Sequence, residues 1–212
     1  QNNLMLYSDG TVAQLSVSSG VTNAGTSISP FTNSIQFPAT PAGTNYAYKS
    51  SSTDAVNYVL SVYVQMNDNS APSVGLNSSS GDFSFVFNNN AVTTPAATVT
   101  SVGSNVYRVS VVKTSNGTAT NFGVIQYSTQ SGKAFRVTGF QLEAVTYQTT
   151  PSTYVATTSV AYYGPRFDYD PSTLAAKGLL IEGSRTNKTV ALSDRKSTRL
   201  NSIHSDISRM PS

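Results

Sequence analysis

The sequence YVLSVYVQM, at residues 58–66, decides the fold class because its side chains alternate with a period of two. One alternate set is wholly apolar or aromatic and consists of Tyr58, Leu60, Val62, Val64 and Met66. The other set begins with Val59 and Ser61 and continues with Tyr63 and Gln65. A period of two is typical of a β-strand with one face in a hydrophobic core. We therefore predict a strand with the first set in the core and the second facing water or a groove.

Short β-prone runs recur on both sides of this strand, separated by turns rich in Gly, Asn, Ser and Pro. The further strands predicted in this part of the chain are residues 4–7, 12–17, 34–37, 46–49, 73–77, 83–87, 97–102, 106–113, 121–127 and 135–145. Their spacing of about 8 to 12 residues, without a convincing amphipathic helix, is typical of a β-sandwich or barrel. The sequence predicts an all-β, jelly-roll β-sandwich over residues 1–158.

The net charge of +3, from 13 basic and 10 acidic side chains, does not belong to the predicted sandwich. Residues 1–158 contain five basic and five acidic side chains, so the surplus lies beyond residue 158. The net charge therefore gives no reason to expect a nucleic-acid partner for the sandwich. The sequence also has no apolar run of membrane-spanning length and no signal-peptide pattern, so no membrane insertion is expected.

Candidates for catalysis are few, because the chain has no cysteine and its single histidine is His204, near the end of the sequence. Ser-His-Asp, Cys-His and histidine–metal sites are therefore excluded for the predicted sandwich. A glycosidase would need two carboxyl groups about 5 to 10 Å apart. The carboxylates of the sandwich are Asp9, Asp54, Asp68, Asp82 and Glu143. Asp68 and Asp82 lie in turn sequences, and a structural pairing of Glu143 with Arg108 or Arg136 is favoured over catalysis, so no enzyme is expected.

The alternation ends at residue 146, where a stretch rich in Thr, Pro and Tyr begins. We predict an extended segment laid over the sandwich and then a connector over residues 159–193. The apolar run at 178–182 is predicted to be a strand without partners. Asp168 and Asp170 flank Tyr169 in a DYDP sequence that favours a turn, with a structural Ca²⁺ site as the alternative. No cofactor is otherwise expected.

Several motifs, taken in order, carry a resemblance to a known family. They are NLMLYS at 3–8, YVLSVYV at 58–64, NVYRVSV at 105–111, GFQLEA at 139–144 and PSTYVATT at 151–158. Together they resemble the jelly-roll, carbohydrate-binding-module-like domains of bacteriophage tail fibres and related virion appendages. Residues 166–187, with DYDP, KGLLIE and RTN, look like the connector between modules of such proteins. The chain departs from the family pattern at Val106, where an aromatic residue is common.

Residues 194–212 have a different composition and contain RKSTRLNS at 195–202. This stretch resembles a translated sequencing-library adapter, so we expect it to be non-native and disordered. The alternative interpretation is a disordered basic arm that binds nucleic acid.

The family resemblance implies a non-enzymatic structural or adhesive module of a virion, assembled as a homotrimer within a fibre, that contacts host cell-surface polysaccharide. Jelly-roll sugar sites stack aromatic rings on sugars and bind hydroxyls through amides, carboxylates and Arg. Without tryptophan, tyrosine would supply the rings. The candidate glycan-binding residues, all on strand faces opposite the predicted core, are Tyr63, Gln65, Arg108, Gln141 and Glu143. The alternatives are a carbohydrate-binding accessory module of a polysaccharide depolymerase and a purely structural virion protein without a ligand.

Overall fold

The structure is a computed structural model that describes residues 2–51, 54–77, 82–87, 96–117, 120–127, 133–164, 167–169 and 176–179. The chain forms two compact units, Gln1–Pro165 and Arg166–Ser212. The predicted tail at 194–212 lies outside the described residues.

The first unit consists of two β-sheets. In spatial order, the six-stranded sheet contains β2 (Thr22–Asn23), β3 (Ile35–Phe37), β11 (Phe135–Val145), β5 (Asn57–Met66), β9 (Val106–Thr114) and β8 (Thr98–Gly103). The five-stranded sheet contains β1 (Ser16–Val17), β4 (Asn45–Ser51), β10 (Thr120–Gln126), β7 (Asp82–Phe87) and β6 (Val74–Leu76). Neighbouring strands are antiparallel, except that β7 and β10 run parallel. The described residues contain no helix.

The hydrophobic core lies between these two sheets. The predicted inward set of β5, which runs from Tyr58 to Met66 at alternate positions, is buried in it. The prediction that the other set faces water or a groove is wrong for Val59 and Ser61, which are buried as well. The Tyr58 ring of one sheet lies 5.8 Å from the Phe83 ring of the other, and the rings of Phe87 and Phe135 stack at 4.1 Å. Burial of each large apolar side chain contributes roughly 1.5 to 3 kcal/mol. The apolar side chains that alternate along the strand sequences therefore stabilise the β-sandwich by packing between the two sheets.

Consecutive strands alternate between the sheets from β3 through β4 to β5, and again from β9 through β10 to β11. The chain therefore crosses from one sheet to the other within these two segments. The prediction of an all-β sandwich is confirmed.

Two predicted strands near the N-terminus are wrong in their extent. The strand predicted at 4–7 is absent, because residues 6–9 form a turn, and of the strand predicted at 12–17 only Ser16–Val17 is present. In the second case the Gln14 side chain accepts a hydrogen bond from the Thr11 backbone N–H at 2.9 Å, and the Gln14 N–H donates to the Thr11 carbonyl at 3.0 Å. These local bonds satisfy backbone and side-chain groups in a turn, which competes with the strand.

The second unit contains an antiparallel pair, β12 (Phe167–Tyr169) and β13 (Ala176–Leu179). The prediction of an unpartnered strand at 178–182 is therefore wrong for its described part, because Gly178 pairs with Asp168 and Leu179 with Phe167. Pairing with the preceding segment gives the backbone of Gly178 and Leu179 hydrogen-bonding partners. Residues 180–182 and Asp170 lie outside the described residues, as does the side chain of Asp168.

Candidate functional site

A β-bulge in β11 shapes the outer face of the six-stranded sheet. The register with β5 shifts between Thr138 and Gln141, and Gly139 has a φ of +60° within the shift. A Cβ at Gly139 would lie 2.6 Å from Phe31 and 2.7 Å from Tyr63. Glycine adopts this left-handed conformation at little cost and leaves space for both rings. The bulge therefore admits an aromatic side chain from a neighbouring loop onto the sheet.

That aromatic side chain is Phe31, from the loop between β2 and β3. Its ring centroid lies 4.8 Å from that of Tyr63. Asp9 holds the loop, because its carboxylate accepts hydrogen bonds from the backbone N–H groups of Thr32 and Asn33, each at 3.1 Å. The Ile28 side chain of the same loop is buried. The loop thus forms a fixed wall beside the strand.

The tight turn between β8 and β9 forms the opposite wall. Gly103 pairs with Val106, and the two loop residues Ser104 and Asn105 have φ values of 52° and 58°. Positive φ at both central positions is the conformation of a type I′ turn, whose twist matches that of the flanking strands. The Gln65 side chain donates to the Ser104 carbonyl at 3.2 Å, which fastens the turn to β5.

Between these walls lies a groove of 530 Å³, which we call the outer groove. Its lining residues are Thr26, Ser27, Ser29, Pro30, Phe31, Tyr63, Gln65, Val102, Gly103, Ser104, Val106 and Arg136. It combines aromatic rings, hydroxyl groups, an amide and one guanidinium. Its volume falls within the roughly 300 to 1,000 Å³ typical of small-molecule sites. The outer groove is therefore the candidate binding site.

Two of the five predicted site residues, Tyr63 and Gln65, line the outer groove, as does Arg136 from the neighbouring strand. The Arg136 guanidinium donates from Nη2 to the Gln65 amide oxygen at 2.8 Å and from Nη1 to the Thr26 carbonyl at 2.8 Å. These bonds link β5, β11 and the loop wall. Arg136 was considered from the sequence only as a structural partner of Glu143.

Arg108 lies beside the Tyr63 ring and does not line the groove. Its guanidinium carbon is 5.3 Å from the ring centroid, within the range of a cation–π interaction. The same group donates to the Ser61 hydroxyl at 2.9 Å and to the Ser152 carbonyl at 2.7 Å. Burial lowers the pKa of this guanidinium, while Tyr63 and Glu143 oppose the shift. Arg108 therefore contacts the Tyr63 ring and holds it in place without lining the groove itself.

Gln141 and Glu143 are buried by residues 150–158, which we call the strap. Their side chains are 2% and 1% exposed. Gln141 accepts a hydrogen bond from the Val155 N–H at 3.1 Å, and Glu143 accepts one from the Ser152 N–H at 3.0 Å and another from the Ser152 hydroxyl. The prediction of an extended segment over the sandwich is confirmed here. The strap therefore binds these two residues and prevents a ligand from reaching them.

Phe31 and Tyr154 are groove-supporting residues that the sequence-based prediction did not include. The Tyr154 ring lies 5.1 Å from Phe31 and 6.0 Å from Tyr63, and its hydroxyl is 2.8 Å from the Ser8 hydroxyl. Burial raises the pKa of Tyr154 to about 12, the hydrogen bond with Ser8 opposes the shift, and the charge of Asp9 adds to it. The sequence feature that could have identified these two residues is the single aromatic residue in each of the stretches SPFTN and PSTYV.

Among the residues that the structure describes, no carboxylate lines the outer groove, and no three His, Cys, Asp or Glu side chains lie together as a metal site would require. Neither wall thus presents the pair of acids that glycoside hydrolysis needs. The search for membrane spans, made over the described residues, found no helix of sufficient length and hydrophobicity.

Comparison of the chain with protein-family models and with curated proteins found no match to either.

Proposed function

We propose that this chain is a non-enzymatic β-sandwich module that binds glycans in the outer groove. The observation that carries the proposal is the composition of that groove, where the rings of Phe31 and Tyr63 adjoin the hydroxyl groups of Ser27 and Ser29 and the amide of Gln65. Aromatic rings offer flat apolar surfaces at low entropic cost. Hydroxyl and amide groups offer donors and acceptors for sugar hydroxyls.

The contacts that hold the site favour binding of a ligand without rearrangement. The loop wall is held by Asp9, the turn wall by Gln65, and the Tyr63 ring by Phe31, Tyr154 and Arg108. Preorganised groups lose little conformational freedom on binding, so more of the contact energy appears as affinity.

The biological setting that we propose is a tail fibre or comparable appendage of a bacteriophage virion, where the module contacts polysaccharide of the host surface. The support for this setting is the resemblance of several motifs, from NLMLYS at 3–8 to PSTYVATT at 151–158, to those of virion-appendage modules.

Within such a fibre, we propose assembly as a homotrimer. Strand β8 supports self-association, because it is the last strand of its sheet and all six of its residues are exposed. Unpaired strand edges are ready sites for association with another chain. Native mass measurement should give a trimer, and a clean monomer at high concentration would contradict the oligomer proposal.

A glycan array tests the binding function. The wild-type chain should bind a subset of bacterial surface glycans, and Tyr63→Ala and Tyr63→Leu should each weaken that binding by about tenfold or more, as loss of a central aromatic anchor does. Tyr46→Ala is the matched control, because Tyr46 is an exposed tyrosine of the other sheet. Circular dichroism verifies that each variant is folded. Absence of binding by the wild-type chain, or unchanged binding in both Tyr63 variants, would contradict the proposal.

A further inference from the structure

Arg136 gives the outer groove a positive charge that has no ion-pair partner within 4 Å among the described residues. It is the one charged residue among those that line the groove. Its two hydrogen-bond acceptors, the Thr26 carbonyl and the Gln65 amide oxygen, are neutral. Its Nε is buried and has no hydrogen-bond acceptor among the described residues. The arginine guanidinium is a cation with five N–H donors and no acceptor.

The carboxylates of Asp9 and Glu143 make hydrogen bonds to groups other than Arg136. Asp9 accepts bonds from the Thr32 and Asn33 backbone and from the Thr138 hydroxyl, at 3.0 to 3.1 Å, and so serves the base of the loop wall. Glu143 is covered by the strap and bonded to Ser152. In the part of the chain that the structure describes, the ion pair within 4 Å joins Lys133 and Asp68, and neither residue lines the groove.

A partly desolvated cation without an opposing charge is unfavourable, and an incoming anion offsets part of that cost. The guanidinium fork also matches the planar geometry of a carboxylate, through short charge-assisted hydrogen bonds. The two features together make Arg136 a determinant of ligand charge.

We propose that the outer groove selects acidic glycans, in which a sugar carboxylate binds at Arg136 while the sugar ring packs on Phe31 and Tyr63. The inference rests on the proposed glycan-binding function and names the class of glycan. Ser104 and Gln65 then contact hydroxyl groups of the same sugar or its neighbour.

The test uses bacterial capsular polysaccharides that contain uronic acids, each paired with its carboxyl-reduced form, in which every carboxylate has become a neutral hydroxymethyl group. The wild-type chain should bind the acidic member of at least one pair about tenfold or more tightly than the reduced member, as charge-assisted hydrogen bonds predict. Arg136→Gln should reduce this preference to about twofold or less. Lys133→Gln is the matched control, because it removes a positive charge that lies outside the groove, and it should keep the wild-type preference.

Arg136→Lys separates charge from geometry, and it also covers the case in which Arg136→Gln fails to fold. It should retain part of the preference and lose the remainder, because a lysine ammonium binds a carboxylate as a point charge without the fork. The wild-type preference should also fall as salt concentration rises.

Equal or tighter wild-type binding to the reduced polysaccharides would overturn the acidic-glycan inference and leave glycan binding in place. A preference that persists in Arg136→Gln and Arg136→Lys would remove Arg136 as its cause. Failure of the wild-type chain to bind either member of any pair would contradict the inference and, with an empty array result, the proposed function as well.

Discussion

The ring centroids of Phe31 and Tyr63 lie 4.8 Å apart, with 53° between the ring planes. One ring belongs to a loop and the other to the central strand β5, so this contact joins the loop wall of the outer groove to the sheet that floors it. It depends on the missing Cβ at Gly139, where both rings approach the backbone.

Substitution of Gly139 by alanine should disrupt this contact. A left-handed conformation costs a non-glycine residue about 1 to 2 kcal/mol, and overpacking adds about 1 to 3 kcal/mol. We therefore expect the free energy of unfolding to fall by about 2 to 5 kcal/mol, together with weaker glycan binding. Chemical denaturation measures the first effect. Gly25→Ala is the matched control, since an added Cβ meets no atom within 4 Å there, and a loss as large in that variant would show that the Gly139 contact is not the cause.

The buried Asn3 side chain should be among the most sensitive positions in the sandwich. Its amide nitrogen donates to the carbonyls of Phe140 and Val155 at 3.1 and 2.8 Å, and its oxygen accepts from the N–H groups of Met5 and Leu142, each at 3.1 Å. All four bonding positions are used, so Asn3→Ala leaves buried backbone groups without partners. The expected loss in unfolding free energy is about 3 to 5 kcal/mol.

Asn23→Ala is the control for Asn3→Ala. Asn23 is exposed, and its oxygen accepts a bond from the Val12 N–H at 2.9 Å, so about 1 kcal/mol or less should be lost. Similar melting temperatures for Asn3→Ala and the wild-type chain would show that the strap is not held by this amide.

Tyr154 should make the sandwich sensitive to alkaline pH. Burial raises its pKa to about 12 from the ordinary value of 10.0, so the unfolded chain ionises first as pH rises. This contribution to stability is complete below pH 10 and is lost as pH increases through the interval from about 10 to 12.

Tyr154→Phe removes the titrating hydroxyl and its bond with Ser8. At pH 8 the variant should be less stable by about 1 kcal/mol, and its stability should fall less steeply than that of the wild-type chain above pH 10. Urea unfolding at a series of pH values gives both curves. Tyr147→Phe, at a phenol that is 93% exposed, should follow the wild-type curve. Parallel curves for Tyr154→Phe and the wild-type chain would refute the role given to Tyr154.

Strand positions could be predicted from the sequence because their cause is local. The alternation in residues 58–66 and the buried Phe140 and Leu142 in β11 both follow from a period of two. The same period correctly placed Gln141 and Glu143 on the face opposite the core. It could not reveal that this face is covered, because the strap is extended and has no periodic pattern of its own.

The outer groove was predicted only in part for the same reason. Tyr63 and Gln65 are strand residues, and their outward direction follows from the alternation. Phe31 and Ser104 come from a loop and a turn whose positions depend on the Gly139 bulge and on long-range bonds from Asp9 and Gln65. Such contacts join residues far apart in sequence, and no local pattern encodes them.

Amide chemical-shift mapping by NMR tests the central claim most directly, with the tightest-binding glycan from the array titrated into the wild-type chain. We expect the perturbed amides to cluster at residues 26–31, 63–65, 103–106 and 136, which line or flank the outer groove. The Tyr46 and Tyr48 amides of the other sheet should remain unshifted. Perturbations centred on those two tyrosines, or the absence of any shift at saturating glycan, would contradict the assignment of the outer groove as the binding site.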